Sequence, residues 1–260
     1  MGRIKKRGEL RIVSLAPSVT SILLALGAGG DLAGISRWCK DVADVGSRPA
    51  VGDCWKVDTR AVMRLRPSLL IGSVPFAAET VQKLLAEPVA FLAMNPRTVA
   101  DIFGDIRMLG RLVERGLAAE RLIRKMRDGF ADVSRKARRR GSGAPLRVYC
   151  EAWPKPRISS PPWVAELVKM AGGQTVLESG RRVTDEEVAR AAPELIVLAW
   201  AATGGRAKVS TALRNPAWRD VPAVRNRRVV VVRDELLNTP GPPLLRGARE
   251  LARVIGDSAC

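Results

Sequence analysis

The sequence predicts an α/β protein of two Rossmann-like α/β lobes, bridged by one long backbone α-helix, with a ligand cleft between the lobes. Segment 11–29 has the order strand, turn and helix, and a second strand-rich half begins at Leu146. Between these halves, apolar residues recur at every third or fourth position from Val99 to Val133, which is the spacing of one helix face. The predicted domains are residues 9–97 for the N-terminal lobe, 98–141 for the bridging helix and 142–260 for the C-terminal lobe.

The first half alternates short apolar runs with helical periodicity, which predicts strands joined by helices in a parallel sheet. Either Ser18 or Thr20 is expected to cap the first helix, and Gly27 and Gly29 are expected to end it. The predicted strands are Arg11–Leu15, Leu32–Ser36, Ser68–Ser73 and Val89–Ala93, and the predicted helices are Thr20–Leu26, Asp58–Leu65 and Glu79–Leu85.

The central periodicity fits one helix of roughly 35–40 residues, or two helices that abut near Gly116. The second half then repeats the alternation of strands and helices. Its predicted strands are Leu146–Cys150, Leu195–Trp200 and Arg228–Val232, and its predicted helices are Trp163–Ala171, Thr184–Ala191 and Pro243–Ile255.

Composition excludes several classes of function. The 260 residues are 47% hydrophobic and contain no histidine, the commonest general base and transition-metal ligand, which argues against zinc hydrolase and Ser-His-Asp chemistry. Cys39, Cys54 and Cys150 lie near predicted strand ends, and a metal or redox role for them stays open beside the favoured interpretation as small buried residues. No resident cofactor is expected.

Two features bear on location. No window of about 18 apolar residues is present, so no membrane span is predicted. The first ten residues are basic but lead directly into a strand, so the expectation is a cytoplasmic protein as the sequence is written. If the true start lies upstream, the expectation becomes a periplasmic or membrane-associated protein.

The net charge of +18 comes mainly from arginine, with concentrations at residues 135–140 (RKARRR) and 225–228 (RNRR). Such charge attracts nucleic acid or anionic lipid without sequence preference. The first run is predicted to end a helix, where cations favour the dipole, and stacking aromatics are missing beside both runs. A solvated basic surface is therefore favoured over a dedicated nucleic-acid site.

Aromatic usage points to a large flat ligand, because six tryptophans accompany only one tyrosine and four phenylalanines. Ligands bind at the carboxyl ends of strands in open α/β sheets, and tryptophan offers a broad apolar face with one N–H. Trp163 and Trp218 are expected in the core, and Arg157 is either an anion ligand or an exposed surface residue. The candidate ligand-lining aromatics are Trp38, Trp55, Phe76, Trp153 and Trp200.

Six segments follow one another in an ordered set of motifs: RIVSLAPSVTSILLALGAGGDLAGIS, VGDCWKVDTRAVMRLRPSLLIGS, RVYCEAWPKP, PPWVAELVKMAGG, RVTDEEVARAAPELIVLAW and RDELLNTPGPPLLRGARELARVI. This set resembles the ABC-transporter periplasmic substrate-binding proteins for vitamin B12, heme and ferric siderophores, the helical-backbone metal receptors. It is most similar to the vitamin B12-binding proteins. The resemblance implies a monomeric carrier of cobalamin or an iron chelate that docks on a transporter permease.

The resemblance also assigns roles to positions of this chain. Trp38 falls where the vitamin B12-binding proteins have a ligand-contacting tyrosine, and Glu79 falls within one residue of the first docking acid. Glu235 or Glu250 takes the place of the second docking acid. The second-lobe contact loop corresponds to Asp234, Glu235, Leu236, Leu237 and Asn238.

Two other classes of function stay open. An enzyme on this fold, or an intracellular corrinoid or tetrapyrrole carrier, would use the same cleft, with Asp53, Glu151 and Asp234 available for acid–base work. The chain lacks the glycine-rich phosphate loops of nucleotide-binding enzymes, which disfavours catalysis. The third class is a nucleic-acid-associated protein that uses the basic surface.

Overall fold

The computed structural model describes residues 10–53, 55–140 and 143–259. These divide into two compact units. The first comprises the described residues up to Pro96 together with Ala100–Arg124. The second comprises Arg97–Val99 and the described residues from Lys125 onward.

The first unit contains a four-stranded parallel sheet. Its strands are β1 (Ile12–Ser14), β2 (Leu32–Ile35), β3 (Leu69–Ser73) and β4 (Ala90–Met94), and its helices are α1 (Pro17–Ala25), α2 (Thr59–Arg64), α3 (Ala78–Leu85), α4 (Val99–Leu112) and the first part of α5 (Gly116–Arg139). The strand order is β2–β1–β3–β4, so β1 and β3 are the inner strands. The side chains of β1 are buried on both faces, which explains its apolar β-branched sequence.

The start of α1 differs from the sequence expectation. Ala16 is the N-cap residue, and its methyl side chain cannot accept a capping hydrogen bond. Pro17 occupies the first helical position and has no N–H that needs an acceptor. Ser18 and Thr20 lie inside the helix and are buried, so the prediction that either one caps it is wrong. At the other end, Gly27 takes a φ of +71° just beyond the helix, which fits its predicted role in ending α1.

The central periodic segment forms the two helices α4 and α5 rather than one continuous helix. The chain turns at residues 113–115, where Glu114 takes a φ of +55°. A Cβ on Gly110 would meet the Ala119 side chain at 2.5 Å, so the missing side chain permits the close approach of the two helices. The apolar spacing had left this alternative open, with the division near Gly116.

The second unit contains a mixed five-stranded sheet. Its strands are β5 (Leu146–Pro154), β6 (Arg157–Ser159), β7 (Gly173–Thr175), β8 (Leu195–Leu198) and β9 (Val229–Val231), and its helices are α6 (Trp163–Met170), α7 (Asp185–Ala191), α8 (Val209–Leu213), α9 (Pro222–Arg225), α10 (Glu235–Asn238) and α11 (Pro243–Ala259). β5 pairs with β8 along one side, and with β7 and then antiparallel β6 along the other. The sequence analysis missed β6 and β7, because three-residue strands are too short for an alternating pattern to be visible.

Two other helices begin with side-chain caps. The Asp58 side chain accepts a hydrogen bond from the Ala61 amide at 3.0 Å and caps α2. Thr184 and Glu187 form a reciprocal capping box at the start of α7. Within the described residues, no helix is both long enough and apolar enough to cross a lipid bilayer.

Candidate functional site

Asp53 organises the carboxyl edge of the first sheet. Its Oδ1 accepts hydrogen bonds from the backbone amides of Trp55 and Lys56, both at 2.9 Å. Its Oδ2 accepts from the Trp38 indole Nε1 at 2.9 Å and from the Arg37 Nε at 3.1 Å. One buried carboxylate therefore holds a turn, an indole ring and a guanidinium group in a fixed arrangement.

These hydrogen bonds determine the ionisation of Asp53. Burial alone would raise the pKa of the carboxyl group, but the donors outweigh it. The amides of Lys56 and Trp55, the Trp38 indole and Arg37 together lower the pKa below its usual value of 3.8. The group is a carboxylate at neutral pH, and its lone pairs are engaged in holding the local structure.

The turn around Asp53 presents Trp55 to solvent. Gly52 takes a φ of +108°, and a Cβ at this position would meet the Lys56 carbonyl oxygen at 2.5 Å, so the tight turn requires glycine. The Thr80 hydroxyl donates to the Trp55 carbonyl at 2.8 Å and ties the turn to α3. Trp55 remains 62% exposed although its backbone N–H and C=O are both hydrogen-bonded.

Phe76 and Glu79 lie at the same edge, in the connection from β3 to α3 and in the first turn of α3. Phe76 is half-buried and packs edge-to-face against Phe91, with ring centroids 5.9 Å apart. The Glu79 side chain is 78% exposed, and its ion pair with Lys83 at 2.7 Å lowers the pKa of the carboxyl group. Of these two side chains, Glu79 is the more accessible to a partner.

The cysteines that the structure describes are small buried residues. Cys39 lies 3.0 Å from the Thr20 hydroxyl and 3.3 Å from the Ser36 hydroxyl, and burial raises the pKa of its thiol. Burial raises the pKa of the Cys150 thiol to about 12. Cys54 lies outside the described residues. Among the residues that are described, no group of three or more His, Cys, Asp and Glu side chains is arranged to hold a metal ion.

Glu151 has the corresponding position in the second unit. It is fully buried in β5, and its Oε2 accepts from the Tyr149 hydroxyl at 2.9 Å and from Arg157 at 2.5 Å. Its Oε1 accepts from the Trp200 indole at 2.8 Å. Burial raises the pKa of Glu151, and the positive charge of Arg157 offsets only part of that effect.

Arg157 is held between two carboxylates. Its second terminal nitrogen lies 2.7 Å from the Asp185 Oδ1, and its guanidinium stacks 4.2 Å from the ring centroid of Trp218. The side chain is 14% exposed, so it is neither a solvated surface arginine nor an unoccupied anion site. Its proposed contact with a ligand anion stays a prediction that would require these ion pairs to open.

The other tryptophans of the second unit separate into buried and accessible rings. Trp163 and Trp218 are buried, as predicted, and donate to the carbonyls of Leu237 and Asp185 at 2.8 and 3.1 Å. Trp153, at the end of β5, is 40% exposed, and its indole donates to the Lys155 carbonyl at 2.9 Å. Trp200 is partly buried with its indole N–H engaged by Glu151.

The segment after β9 is a short helix, α10, rather than an open loop. Asp234 precedes it and accepts from the amides of Ala202 and Gly204, both at 3.0 Å, while burial raises the pKa of its carboxyl group. Leu236 and Leu237 are buried, because an apolar pair in a one-turn helix packs inward. Their side chains therefore do not present an accessible contact surface.

Glu235 and Asn238 have one oxygen each that is buried without a hydrogen-bond partner among the described residues. The other Glu235 oxygen pairs with Arg233, and the Asn238 amide donates to the Ala199 carbonyl at 2.8 Å. These two acceptors lie beside the carboxyl end of β8. The sequence pointed to this segment, but it contained no signal for the unpaired oxygens.

The comparisons with known proteins agree with this architecture. A family model described as periplasmic binding protein matches residues 12–236. The uncharacterized ABC transporter substrate-binding lipoprotein YvrC of Bacillus subtilis is 25% identical, over 96% of this chain and 81% of its own. The vitamin B12-binding protein of Pectobacterium atrosepticum is 21% identical, over 95% of this chain and 88% of its own.

Solved structures show the same fold. The periplasmic heme-binding protein RhuT from Roseiflexus sp. RS-1 superposes with a TM-score of 0.83 at 23% identity, covering 97% of this chain and 100% of its own. The vitamin B12-binding protein BtuF of Vibrio cholerae superposes with a TM-score of 0.75 at 20% identity, covering 96% of this chain and 97% of its own.

Replacing Asp53→Asn removes the charge that engages Trp38 and Arg37, and we expect a loss of about 1–3 kcal/mol in unfolding free energy at pH 7. Because the folded pKa lies below the unfolded one, this stabilisation is complete above about pH 4 and is lost as the pH falls through the folded value. Urea unfolding followed by tryptophan emission at pH 7 and near pH 3 measures the difference. Asp44→Asn, at an exposed turn carboxylate, is the control. An equal deficit for Asp53→Asn at both pH values would contradict the interpretation.

Replacing Arg157→Met leaves the buried Glu151 without its cation, and we expect a loss of about 3–5 kcal/mol in unfolding free energy. The matched control is Arg219→Met, which breaks a solvent-exposed ion pair with Asp220 and should cost less than about 1 kcal/mol. Urea unfolding of both variants at neutral pH provides the comparison. Similar midpoints for the two variants would show that Glu151 does not depend on Arg157.

Proposed function

The chain belongs to the periplasmic binding protein family, and from this premise we propose that it is the substrate-binding component of an ABC importer for a metal chelate, with cobalamin as the first candidate. Two kinds of support favour cobalamin. Several curated relatives that align with nearly the whole chain are vitamin B12-binding proteins. The carboxyl edge of the first sheet also presents indole rings suited to a large flat ligand. The chelate is transported cargo rather than a resident cofactor.

The observation that carries this proposal is the Trp38–Asp53–Trp55 arrangement. The Trp55 ring is exposed and its backbone is already hydrogen-bonded, while the Trp38 indole is fixed by Asp53. A ligand that stacks on these rings therefore loses little binding free energy to the ordering of the protein. Trp38 is partly buried and its N–H is engaged, so it can offer a ring face but no donor. Phe76 extends the apolar surface at this edge.

Within the second unit, we propose a separate and more polar ligand-contacting surface. Trp153 and Trp200 supply ring surface, and the partly exposed Asp234 and Asn238 supply polar groups near the ends of β8 and β9. Glu235, Leu236 and Leu237 are left out because they are buried. Arg157 is also left out because two carboxylates occupy it.

A binding role fits the carboxylates better than catalysis. Asp53 and Asp234 each accept hydrogen bonds from two backbone amides, and Glu151 accepts from three side chains. A general acid or base needs a lone pair or proton directed at a substrate. We therefore propose that these groups hold the local structure and that the protein binds and releases its ligand unchanged.

The relatives favour a location outside the cytoplasm. Their names describe periplasmic binding proteins and a lipoprotein, and they do not support the cytoplasmic expectation. We propose the periplasmic or membrane-associated alternative. An importer component must meet its ligand and its permease on the outer face of the membrane.

Replacing Trp55→Ala is expected to weaken binding of the ligand by about 1–3 kcal/mol, because a stacked indole is lost while the turn at Asp53 is kept. Calorimetric titration with cyanocobalamin, heme and a ferric siderophore measures the effect and identifies the ligand. Leu85→Ala, which removes another exposed apolar side chain of the first unit, is the control.

Submicromolar binding of one chelate, weakened by Trp55→Ala and unchanged in Leu85→Ala, is the expected result. Failure of the unaltered protein to bind any of the three chelates would overturn the proposed substrate class. Binding that is equal in all three proteins would remove the first-sheet edge from the site.

Glu79 is the proposed docking residue of the first unit, because its carboxylate is exposed and lies in a helical first turn. The two candidates for the second docking acid are weaker, because Glu235 is 9% exposed and pairs with Arg233, and Glu250 pairs with Arg253. Glu79→Arg is expected to abolish ligand uptake by cells that produce the importer, with ligand affinity unchanged. Glu178→Arg, at an equally exposed carboxylate of the second unit, is the control. Normal uptake with Glu79→Arg would contradict the assignment.

A further inference from the structure

The most concentrated positive charge of the second unit lies on two adjacent helices. The first segment, residues 125–140, is the C-terminal part of α5 and the residue that follows it, and the second, residues 243–257, lies in α11. Together they contain ten arginine or lysine residues and four acidic residues. Their excess of six charges is a third of the net +18 of the chain, carried by 31 of its 260 residues. We call these two segments the basic helix pair.

The contacts between the two helices make one continuous surface. A Cβ on Gly129 would collide with the Leu245 side chain, and Arg140 donates to the Ala252 carbonyl. The C-terminal part of α5 therefore lies against α11 at these two places. Because Met126, Phe130 and the apolar residues of α11 face inward, the charged residues share the outer side.

On α11, Glu250 and Asp257 both pair with Arg253, so the unneutralised positive charge lies mainly at the end of α5. Asp132 lies 2.5 Å from Arg135 and 2.9 Å from Lys136, and both cations remain more than half exposed. Within the part of the chain that the structure describes, no acidic side chain pairs with Arg138 or Arg139. A surface groove of about 640 Å³ is lined by Ala131, Ser134 and the arginines at 135, 138 and 139.

We propose that the basic helix pair binds the anionic surface of a phospholipid bilayer through headgroup phosphates. Arginine forms paired hydrogen bonds with phosphate oxygens, and three arginines along one groove provide several such sites. Neither helix exposes an aromatic ring, since Phe130 is buried, which disfavours stacking on single-stranded nucleic acid. The inference does not depend on which ligand the protein carries.

Co-sedimentation of the full chain with vesicles tests the proposal. We expect binding to mixed phosphatidylcholine and phosphatidylglycerol vesicles at low salt, no binding to phosphatidylcholine alone, and release at about 0.5 M salt, where charge interactions are screened. The variant Arg135→Gln, Arg138→Gln, Arg139→Gln should bind the anionic vesicles roughly 100-fold more weakly, since each cation near such a surface contributes about fivefold.

The matched control removes three exposed arginines of the first unit, with Arg60→Gln, Arg64→Gln and Arg111→Gln, and so lowers the net charge equally. Circular dichroism establishes that both variants are folded. Vesicle affinity that falls equally in the two variants would mean a general charge effect and would overturn the proposal. No binding to anionic vesicles, or tighter binding to duplex DNA than to vesicles at the same salt, would also overturn it.

Discussion

A buried carboxylate that accepts an indole N–H and pairs with an arginine stands at the strand ends of both units. In the first unit Asp53 engages Trp38 and Arg37, and in the second Glu151 engages Trp200 and Arg157. Each carboxylate lies on or next to a sheet, and the indole and the guanidinium that it engages come from other segments. An unpaired charge at such a depth would be strongly unfavourable, so the acid requires all of its donors together. The position of the surrounding rings follows from that requirement.

The same interaction explains why the site was only partly predictable from the sequence. Tryptophans near predicted strand ends were visible as a pattern, and the structure has accessible rings at Trp55 and Trp153. Asp53 and Glu151 were visible only as acids available for catalysis. Whether an acid is solvated, catalytic or structural depends on donors that are distant along the chain, such as Arg37 for Asp53 and Trp200 for Glu151.

The fold was predicted correctly where the apolar periodicity extends over a long segment. The core strands and the helices α2, α3, α6, α7 and α11 begin and end within a few residues of the expected positions, because each has a clear apolar face. The failures are local: the cap of α1, the short strands β6 and β7, and the short helices α8, α9 and α10. In each of these, a few residues adopt the conformation that their tertiary neighbours allow, and single-sequence periodicity contains no information on those neighbours. The division of the central periodic segment at Glu114 depends similarly on how closely Ala119 approaches Gly110.

The strand lengths of the second sheet have a consequence for association. β5 is nine residues long, but one of its sides pairs with β8 and the other is shared by β7 and β6. The strands left at the boundaries of that sheet, β6, β7 and β9, have three residues each. A three-residue strand presents too few open N–H and C=O groups to template pairing with another chain. The long apolar strand at the centre of this unit is therefore shielded from aggregation by edge-to-edge pairing.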